Sequence, residues 1–265
     1  MKRILTAIVL LPIFIFAVLA PDPVYFALLA ALGVTIAAFE FQALAAPSSG
    51  LPFKLLAAVL SLAVFASRLR PDVLGLGEVI LAALFLLLFV SPLLRIGMKD
   101  AVLSATAVFF AAFYLGFLIS FLPALREVGD LGPRLVFILA LAVWTGDSAA
   151  YYIGSRWGKH KLAPRVSPKK TWEGAFANVA GSIVAVGVSK ATFMPTLRFA
   201  DVVVLGLVIS VVGQFGDAFE SLIKRAAGAK DSSGLLPGHG GMLDRIDSLL
   251  FTAPVVFYYH QVFMR

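Results

Sequence analysis

The chain has 265 residues, of which 60% are hydrophobic and 14% are charged, and its mean hydropathy is +0.96. Soluble domains are typically about 45–50% apolar and about a quarter charged, so this composition excludes a water-soluble enzyme, a disordered chain and a coiled coil. Because cysteine is absent, disulfides, thiolate metal sites and cysteine nucleophiles are also excluded. The net charge of +7 comes from bases that lie between apolar runs, which is typical of membrane helices and not of nucleic-acid binding.

Apolar runs recur along the chain and predict an all-α, polytopic integral membrane protein with about nine transmembrane helices. A bilayer core about 30 Å thick needs a helix of roughly 20 apolar residues. Turn-forming segments rich in proline and glycine separate the runs. The predicted spans are 4–20, 24–46, 55–67, 73–91, 101–125, 135–153, 174–193, 199–223 and 248–263.

Basic residues in the connecting segments predict the orientation of the helices. With the N-terminus in the cytoplasm, 15 of the 22 Lys and Arg residues fall on the inside, and the positive-inside rule favours that arrangement. The polar segments 154–173 and 217–247 then face the cytoplasm. We expect a protein of the bacterial inner membrane, in which 1–134 supplies helix packing and dimer contacts and 135–265 carries the catalytic loops.

Four acidic residues lie inside the apolar runs, where a charge is costly and usually functional: Glu40, Asp147, Asp217 and Glu220. Glu40 has no matching cluster nearby in the sequence. It is therefore either a functional group or a helix-end residue that hydrogen-bonds a neighbouring helix. Asp147 either approaches the same site as Asp217 or pairs with a loop lysine.

The segment around Asp217 has helical spacing that places four polar residues, Asp217, Glu220, Ser221 and Lys224, on one face. One interpretation is a structural salt bridge between Glu220 and Lys224. The other is a set of oxygen ligands for a hard cation, which several acidic groups at the cytoplasmic end of one helix favour.

The stretch 230–247 is polar and rich in glycine and lies between the last two predicted spans. Its glycines let backbone N–H groups turn toward an anion, and its bases neutralise phosphate charge. With Asp244 and Asp247 three residues apart, the stretch predicts a site for a metal-bound polyphosphate. His239 is a general base, a phosphate donor or a residue that fixes the loop; we favour the last two, because a phosphate nucleophile is already an anion.

A second basic segment reads Ser-Pro-Lys-Lys-Thr-Trp-Glu-Gly over 167–174. Ser167 is predicted as a helix N-cap with Pro168 at the first helical position, so that the helix N-terminus, Lys169 and Lys170 point at an anion. The alternative is ordinary positive-inside anchoring, with Trp172 in the interfacial aromatic belt.

Together these motifs resemble the signature of the CDP-diacylglycerol synthases, also called phosphatidate cytidylyltransferases. The matching pattern is Ser221-x-x-Lys224-Arg225, four residues, Lys230-Asp231, then Pro237-x-His239-Gly240-Gly241-x-x-Asp244-Arg245-x-Asp247. The segments 167–174 and 216–221 are similar to the same family. The resemblance is specific from about residue 144 to residue 247.

The resemblance implies that CTP and phosphatidic acid give CDP-diacylglycerol and pyrophosphate. From the residues we expect the lipid phosphate to attack the α-phosphorus of CTP in line. The resemblance also implies a Mg²⁺-dependent homodimer in the lipid bilayer, and whether a monovalent cation joins the Mg²⁺ is left open. The expected catalytic residues are Lys169, Asp217, Lys224, Arg225, His239 and Asp244. The expected substrate-binding residues are Asp147, Lys170, Glu173, Ser221, Lys230, Asp231, Gly240, Gly241 and Arg245. The expected metal ligands are Asp217 and Asp244, together with Asp247 or Glu220.

Two other functions compete with this interpretation. A CTP-dependent polyprenol or dolichol-type kinase would use the same nucleotide and metal, but it would transfer the γ-phosphoryl group to an alcohol and release CDP. An ion-coupled transporter would also carry intramembrane carboxylates, but here the charges gather at one membrane face and no inverted repeat is evident. A CDP-alcohol phosphatidyltransferase is disfavoured because its spaced Asp-Gly, Ala-Arg and Asp pattern is absent from the sequence.

Overall fold

The computed structural model describes residues 2–69, 77, 98–236, 238 and 240–264. Within these residues the chain is mostly helical, as its hydropathy predicts. The predicted span 73–91, apart from residue 77, and the loop residues Pro237 and His239 lie outside the described residues.

The α-helices are numbered in chain order among the described residues. They are α1 (Lys2–Leu19), α2 (Val24–Ala45), α3 (Leu51–Leu69), α4 (Met98–Ala111), α5 (Phe121–Arg126), α6 (Gly132–Trp157), α7 (Trp172–Thr192), α8 (Phe199–Ala226) and α9 (Leu243–Phe263). A π-helical segment, Ala112–Phe117, continues α4, and a 3-10 turn, Gly129–Leu131, precedes α6.

Six stretches of the described residues are long and apolar enough to cross a membrane. They are Val24–Ala45, Leu51–Leu69, Lys99–Arg126, Gly129–Trp157, Trp172–Thr192 and Phe199–Ala226. Each coincides with a predicted span to within a few residues, so the chain is a polytopic integral membrane protein. The apolar part of α1, Ile8–Leu19, is shorter, and the predicted span 248–263 lies in α9, outside this set of six. The total of nine therefore stays a prediction.

The first of two compact units consists of Met1–Ala124 and Ala226–Ile246. Its aromatic packing joins α2 to the region of α4, where Phe41 stacks on Phe110 with the ring centroids 5.6 Å apart. The π-helical segment packs against α3 at Gly116, because a Cβ there would lie only 2.3 Å from the carbonyl oxygen of Ser61.

The second compact unit consists of Leu125–Arg225 and Asp247–Arg265. A polar cluster lies at the start of α8. In this cluster Arg198 donates to the Asp201 carboxylate from Nε at 3.0 Å and from a terminal nitrogen at 2.9 Å. The Tyr259 hydroxyl of α9 donates to the same carboxylate at 2.7 Å. Donors from two different segments satisfy the buried Asp201, which fixes the start of α8 against α9.

A two-stranded hairpin departs from the all-α prediction. Strand β1 (Lys161–Ala163) pairs antiparallel with β2 (Ser167–Thr171), with Ala163 opposite Ser167. Lys169 and Lys170 therefore lie in a strand and not in the first turn of a helix. Pro168 fits this strand because each strand of a two-stranded sheet has an open edge, where a missing N–H breaks no ladder bond.

The predicted N-cap at Ser167 is consequently wrong, because α7 begins five residues later, at Trp172. Thr171 caps the helix instead, and its hydroxyl accepts a hydrogen bond from the Gly174 N–H at 3.2 Å. Serine and threonine are both preferred N-cap residues, so the sequence pattern allows either. Pairing with β1 decides between them, since it holds Ser167 in extended backbone.

The close approach of α7 and α8 at Gly206 gives a prediction for stability. A Cβ at Gly206 would lie 2.6 Å from the Ile183 Cα, so Gly206→Ala should force the helices apart, cost about 1–3 kcal/mol and lower the Tm of the purified protein in detergent. Gly187→Ala is the matched control, because its Cβ would come no closer than 3.7 Å to any described neighbour, the Val202 Cγ1. Equal Tm values for the two variants would contradict the packing argument.

Candidate active site

Three carboxylates of the second unit lie close together, Asp217 and Glu220 on α8 and Asp247 on α9. One oxygen of each lies within 4.8 Å of the other two, and Glu220 is fully buried. The backbone of α9 can approach because residue 216 is glycine, where a Cβ would lie 2.7 Å from the Asp247 carbonyl oxygen. Like charges at this separation repel, so the cluster requires positive charge beside it.

Two lysines supply part of that positive charge. Lys170 Nζ lies 2.6 Å from Asp217 Oδ2, and Lys224 forms an ion pair with Glu220 one turn before it in α8. The Ser221 hydroxyl donates to Asp217 Oδ1 at 3.3 Å. The Glu220–Lys224 salt bridge that the helical spacing indicated is therefore present, and Glu220 belongs at the same time to an acidic cluster.

The donors of this cluster fit a hard divalent cation. Mg²⁺ prefers oxygen ligands, and it is typically held by one or two carboxylates together with water and substrate phosphates. Lys170 and Lys224 offset two of the three carboxylate charges, so with all groups ionised the cluster keeps a net negative charge. That combination suits a cation that arrives with an anionic substrate.

A cavity of about 440 Å³ lies in the same unit and is lined by residues of α6, α7, α8 and the hairpin. Its basic lining residues are Lys161, Lys169 and Lys170. Ligand sites usually occupy about 300–1,000 Å³, so the volume suits a small molecule. Because Lys170 also pairs with Asp217, the cavity adjoins the carboxylate cluster.

A chain of hydrogen bonds joins α6, α7 and α8 at the wall of this cavity. Asn178 Nδ2 donates to Asp147 Oδ1 at 3.1 Å, and the Ser210 hydroxyl donates to Asn178 Oδ1 at 2.6 Å. Gln214 Nε2 donates in turn to Ser210 Oγ at 3.1 Å. Sequence reasoning selected Asp147 but missed the two amides. Their position inside apolar spans, where polar side chains are expensive, was the available signal.

In the first unit, the buried Glu40 of α2 accepts four hydrogen bonds from the loop that leads into α9. Its Oε1 accepts from the Ser233 hydroxyl at 2.6 Å and the Met242 N–H at 3.0 Å. Its Oε2 accepts from the Ser232 hydroxyl at 2.9 Å and the Leu243 N–H at 2.8 Å. Glu40 thus hydrogen-bonds a loop and a helix N-terminus. Its partners lie 192 to 203 residues away in the chain, so the sequence around Glu40 contains no sign of them.

Asp244, predicted as a metal ligand, organises the same loop from its other side. Its Oδ2 accepts hydrogen bonds from the Ser232 N–H and the Gly241 N–H, each at 2.8 Å. It also lies 2.8 Å from the Ser232 hydroxyl, whose single hydrogen Asp244 and Glu40 share. Gly240 has a φ of +76°, and a Cβ at Gly241 would lie 2.4 Å from Glu40 Oε1. The Gly241 N–H thus points at the Asp244 carboxylate, whereas the sequence predicted that such N–H groups turn toward a bound anion. The role of Asp244 as a metal ligand stays a prediction.

The remaining predicted site residues have separate surroundings, and their roles stay predictions. Glu173 lies 2.7 Å from His160 Nδ1, at the start of the hairpin. Arg225 Nε donates to the Val166 carbonyl oxygen at 3.4 Å. Three more are exposed: Lys230, Asp231 and Arg245.

Comparison with known proteins identifies similar chains. The profile of the Cytidylyltransferase family matches residues 1–263. The chain is 44% identical over 151 residues to the phosphatidate cytidylyltransferase of Brucella suis, covering 57% of this chain and 56% of that protein. It is 36% identical over 148 residues to the protein of that name from Bacillus subtilis, covering 56% and 55%. The one from Synechocystis is 48% identical over 128 residues, covering 47% and 43%. The chain thus spans about half the length of the curated relatives it matches.

The contacts of Glu40 predict how the loop responds to its loss. Glu40→Gln leaves one acceptor oxygen and turns an NH₂ group toward the donors of the loop. The hydrogen bonds to the charged carboxylate, worth about 1.5–3 kcal/mol each, are therefore weakened or lost. We expect the Met242 and Leu243 amides to exchange hydrogen at least about tenfold faster, as measured by mass spectrometry. Glu127→Gln, at an exposed glutamate, is the control and should leave this exchange unchanged. Unaltered protection in Glu40→Gln would rule out the anchoring role.

Proposed function

The chain belongs to the cytidylyltransferase family, and on that premise we propose that it is a nucleotidyltransferase that converts CTP and phosphatidic acid to CDP-diacylglycerol and pyrophosphate. The observation that carries the proposal is the carboxylate cluster beside a lysine-lined cavity in one unit. Acidic groups that can hold a cation, next to ammonium groups that can hold phosphates, suit a reaction between two phosphate-bearing substrates. Relatives named phosphatidate cytidylyltransferase support the choice of acceptor.

In the proposed reaction, an oxygen of the lipid phosphate attacks the α-phosphorus of CTP. One P–O bond forms, and the bond from the α-phosphorus to the bridging oxygen breaks, so that pyrophosphate leaves with the electron pair. The nucleophile is already an anion, so no group of the chain has to remove a proton. Lys169 and Lys170 line the cavity, where they would bind phosphate oxygens and stabilise the charge that develops on them.

Asp217, Glu220 and Asp247 would hold a Mg²⁺ ion, which supplies further charge neutralisation for the phosphates when it is bound. Asp244 stays a predicted ligand on the resemblance of its motif. Lys170 contacts Asp217 and also lines the cavity, so it would position this carboxylate relative to the bound phosphates.

The proposed enzyme acts as a homodimer in the bacterial inner membrane, with its polar segments on the cytoplasmic side. The excess of basic residues in the predicted inside loops supports this orientation. Bacterial relatives support the location. The lipid phosphate stays at the interface while its acyl chains stay in the bilayer, which requires a polar site at the end of membrane helices.

The reaction can be tested with CTP labelled at the α-phosphate. The purified chain in detergent, given phosphatidic acid and Mg²⁺, should move the label into a lipid-extractable product, and EDTA should abolish the transfer. Label that remains in water-soluble CDP would point to a kinase instead. Unchanged CTP would contradict nucleotide chemistry altogether and favour a transporter.

The carboxylate cluster predicts the effect of neutralising Asp217. Asp217→Asn removes a charge from the cluster and weakens the ion pair with Lys170, so turnover should fall by about 10²–10³-fold, as for other lost electrostatic stabilisers. Asp130→Asn, at an exposed aspartate in the turn before α6, is the control and should retain full turnover. Near-normal turnover of a well-folded Asp217→Asn protein would exclude Asp217 from the metal site.

A further inference from the structure

The hydrogen-bond chain at the cavity wall has only one possible direction. The Asp147 carboxylate can only accept, so the Asn178 side chain must present its NH₂ group there and its carbonyl oxygen to Ser210. The Ser210 hydroxyl has one hydrogen, which it donates to Asn178, so it must accept from Gln214. Asn178 and Ser210 are buried, at 4% and 2% exposed, which protects this order from exchange with water.

The direction of the chain determines what the two ends offer a ligand. Gln214 Nε2 donates to Ser210 Oγ at 3.1 Å and to the Ala175 carbonyl oxygen at 3.5 Å, which uses both amide hydrogens. Gln214 can therefore add only its carbonyl oxygen, an acceptor. The Asp147 carboxylate has about four acceptor positions and no donor. Both residues line the cavity, so this wall favours a ligand edge that donates hydrogen bonds.

We propose that this wall recognises the exocyclic amino group of cytosine and so determines the choice of CTP over UTP, an inference that rests on the proposed function. The cytosine amino group offers two hydrogens from one nitrogen, and a carboxylate is its usual side-chain partner in nucleic-acid recognition. Uracil carries a carbonyl oxygen at that position, and its single N–H is flanked by carbonyls. A carbonyl would then face Asp147 or Gln214, and two acceptors without a hydrogen between them repel.

The rest of the cavity agrees with a nucleotide in this orientation. Lys169 and Lys170 lie in its lining, and Lys170 connects it to the carboxylate cluster through Asp217. A base held by Asp147 and Gln214 leaves its phosphates to the lysines and to the cation that the cluster would bind. Base recognition and phosphate chemistry would thus take place in one continuous site.

The decisive variant is Asp147→Asn. The Gln214 amide stays anchored on the Ala175 carbonyl oxygen, which keeps the direction of the chain. The new amide therefore turns its carbonyl oxygen toward Asn178 and its NH₂ group toward the cavity. A donor then stands where a carboxylate stood, which suits uracil and opposes cytosine. We expect the ratio of kcat/KM for CTP to that for UTP to fall by about tenfold or more, with part of the change appearing as a gain for UTP.

Two further variants complete the comparison. Gln214→Met keeps the side-chain length but removes the acceptor, and it should lower the CTP to UTP ratio without favouring UTP. Ser182→Ala is the matched control, because it removes a buried hydroxyl one turn from Asn178. The Ser182 hydroxyl donates to the Ala142 carbonyl oxygen at 2.9 Å and is outside the described cavity lining. Its ratio should equal that of the unmodified protein. Should Asp147→Asn fail to fold, the CTP to UTP ratio of Gln214→Met is compared with that of Ser182→Ala. Equal ratios for these two variants would contradict base recognition by this wall.

Binding of labelled CTP without phosphatidic acid, displaced by CTP or UTP, separates this inference from the proposed reaction. If CTP displaces the label better than UTP does, and Asp147→Asn loses this preference, base recognition is supported. Should the same protein transfer no label to lipid, the proposed function alone is overturned. Label transfer with an unchanged CTP to UTP ratio in both cavity variants would overturn the inference alone. A protein that binds neither nucleotide would contradict both.

Discussion

The concentration of negative charge on Asp217, Glu220 and Asp247 is the constraint around which the second unit is arranged. Three carboxylates within 4.8 Å of one another are unfavourable unless cations accompany them. The chain supplies Lys224 from the same helix and Lys170 from the hairpin, and glycine at position 216 lets the third carboxylate approach. Removing either lysine would leave a poorly compensated charge, so the short hairpin that carries Lys170 stabilises the carboxylate cluster.

The first unit satisfies its own carboxylates in a different way. Glu40 and Asp244 accept hydrogen bonds from backbone N–H groups and from serine hydroxyls of the loop. Such bonds are directional and fix the path of the backbone, whereas ammonium partners can be exchanged for another cation.

The positions of the membrane helices could be predicted because burial in lipid requires long apolar runs, and those runs are visible residue by residue. The hairpin was not predicted, since Ser-Pro-Lys-Lys-Thr also satisfies the rules for a helix start, and pairing with the neighbouring strand Lys161–Ala163 decides between the two. The helical spacing of Asp217, Glu220 and Lys224 predicted a shared face correctly. The partners of Glu40 and the amide chain from Gln214 to Asp147 join separate elements, and a single sequence contains no signal for such pairings.

Lys170 has a consequence for how the protein matures. It is the penultimate residue of β2, and the next residue, Thr171, caps α7, so the ammonium group is attached almost directly to a membrane helix. The cluster therefore acquires a counter-ion as soon as the hairpin and α7 are in place. Pairing of the Asp217 carboxylate in a newly inserted chain therefore requires neither metal nor nucleotide.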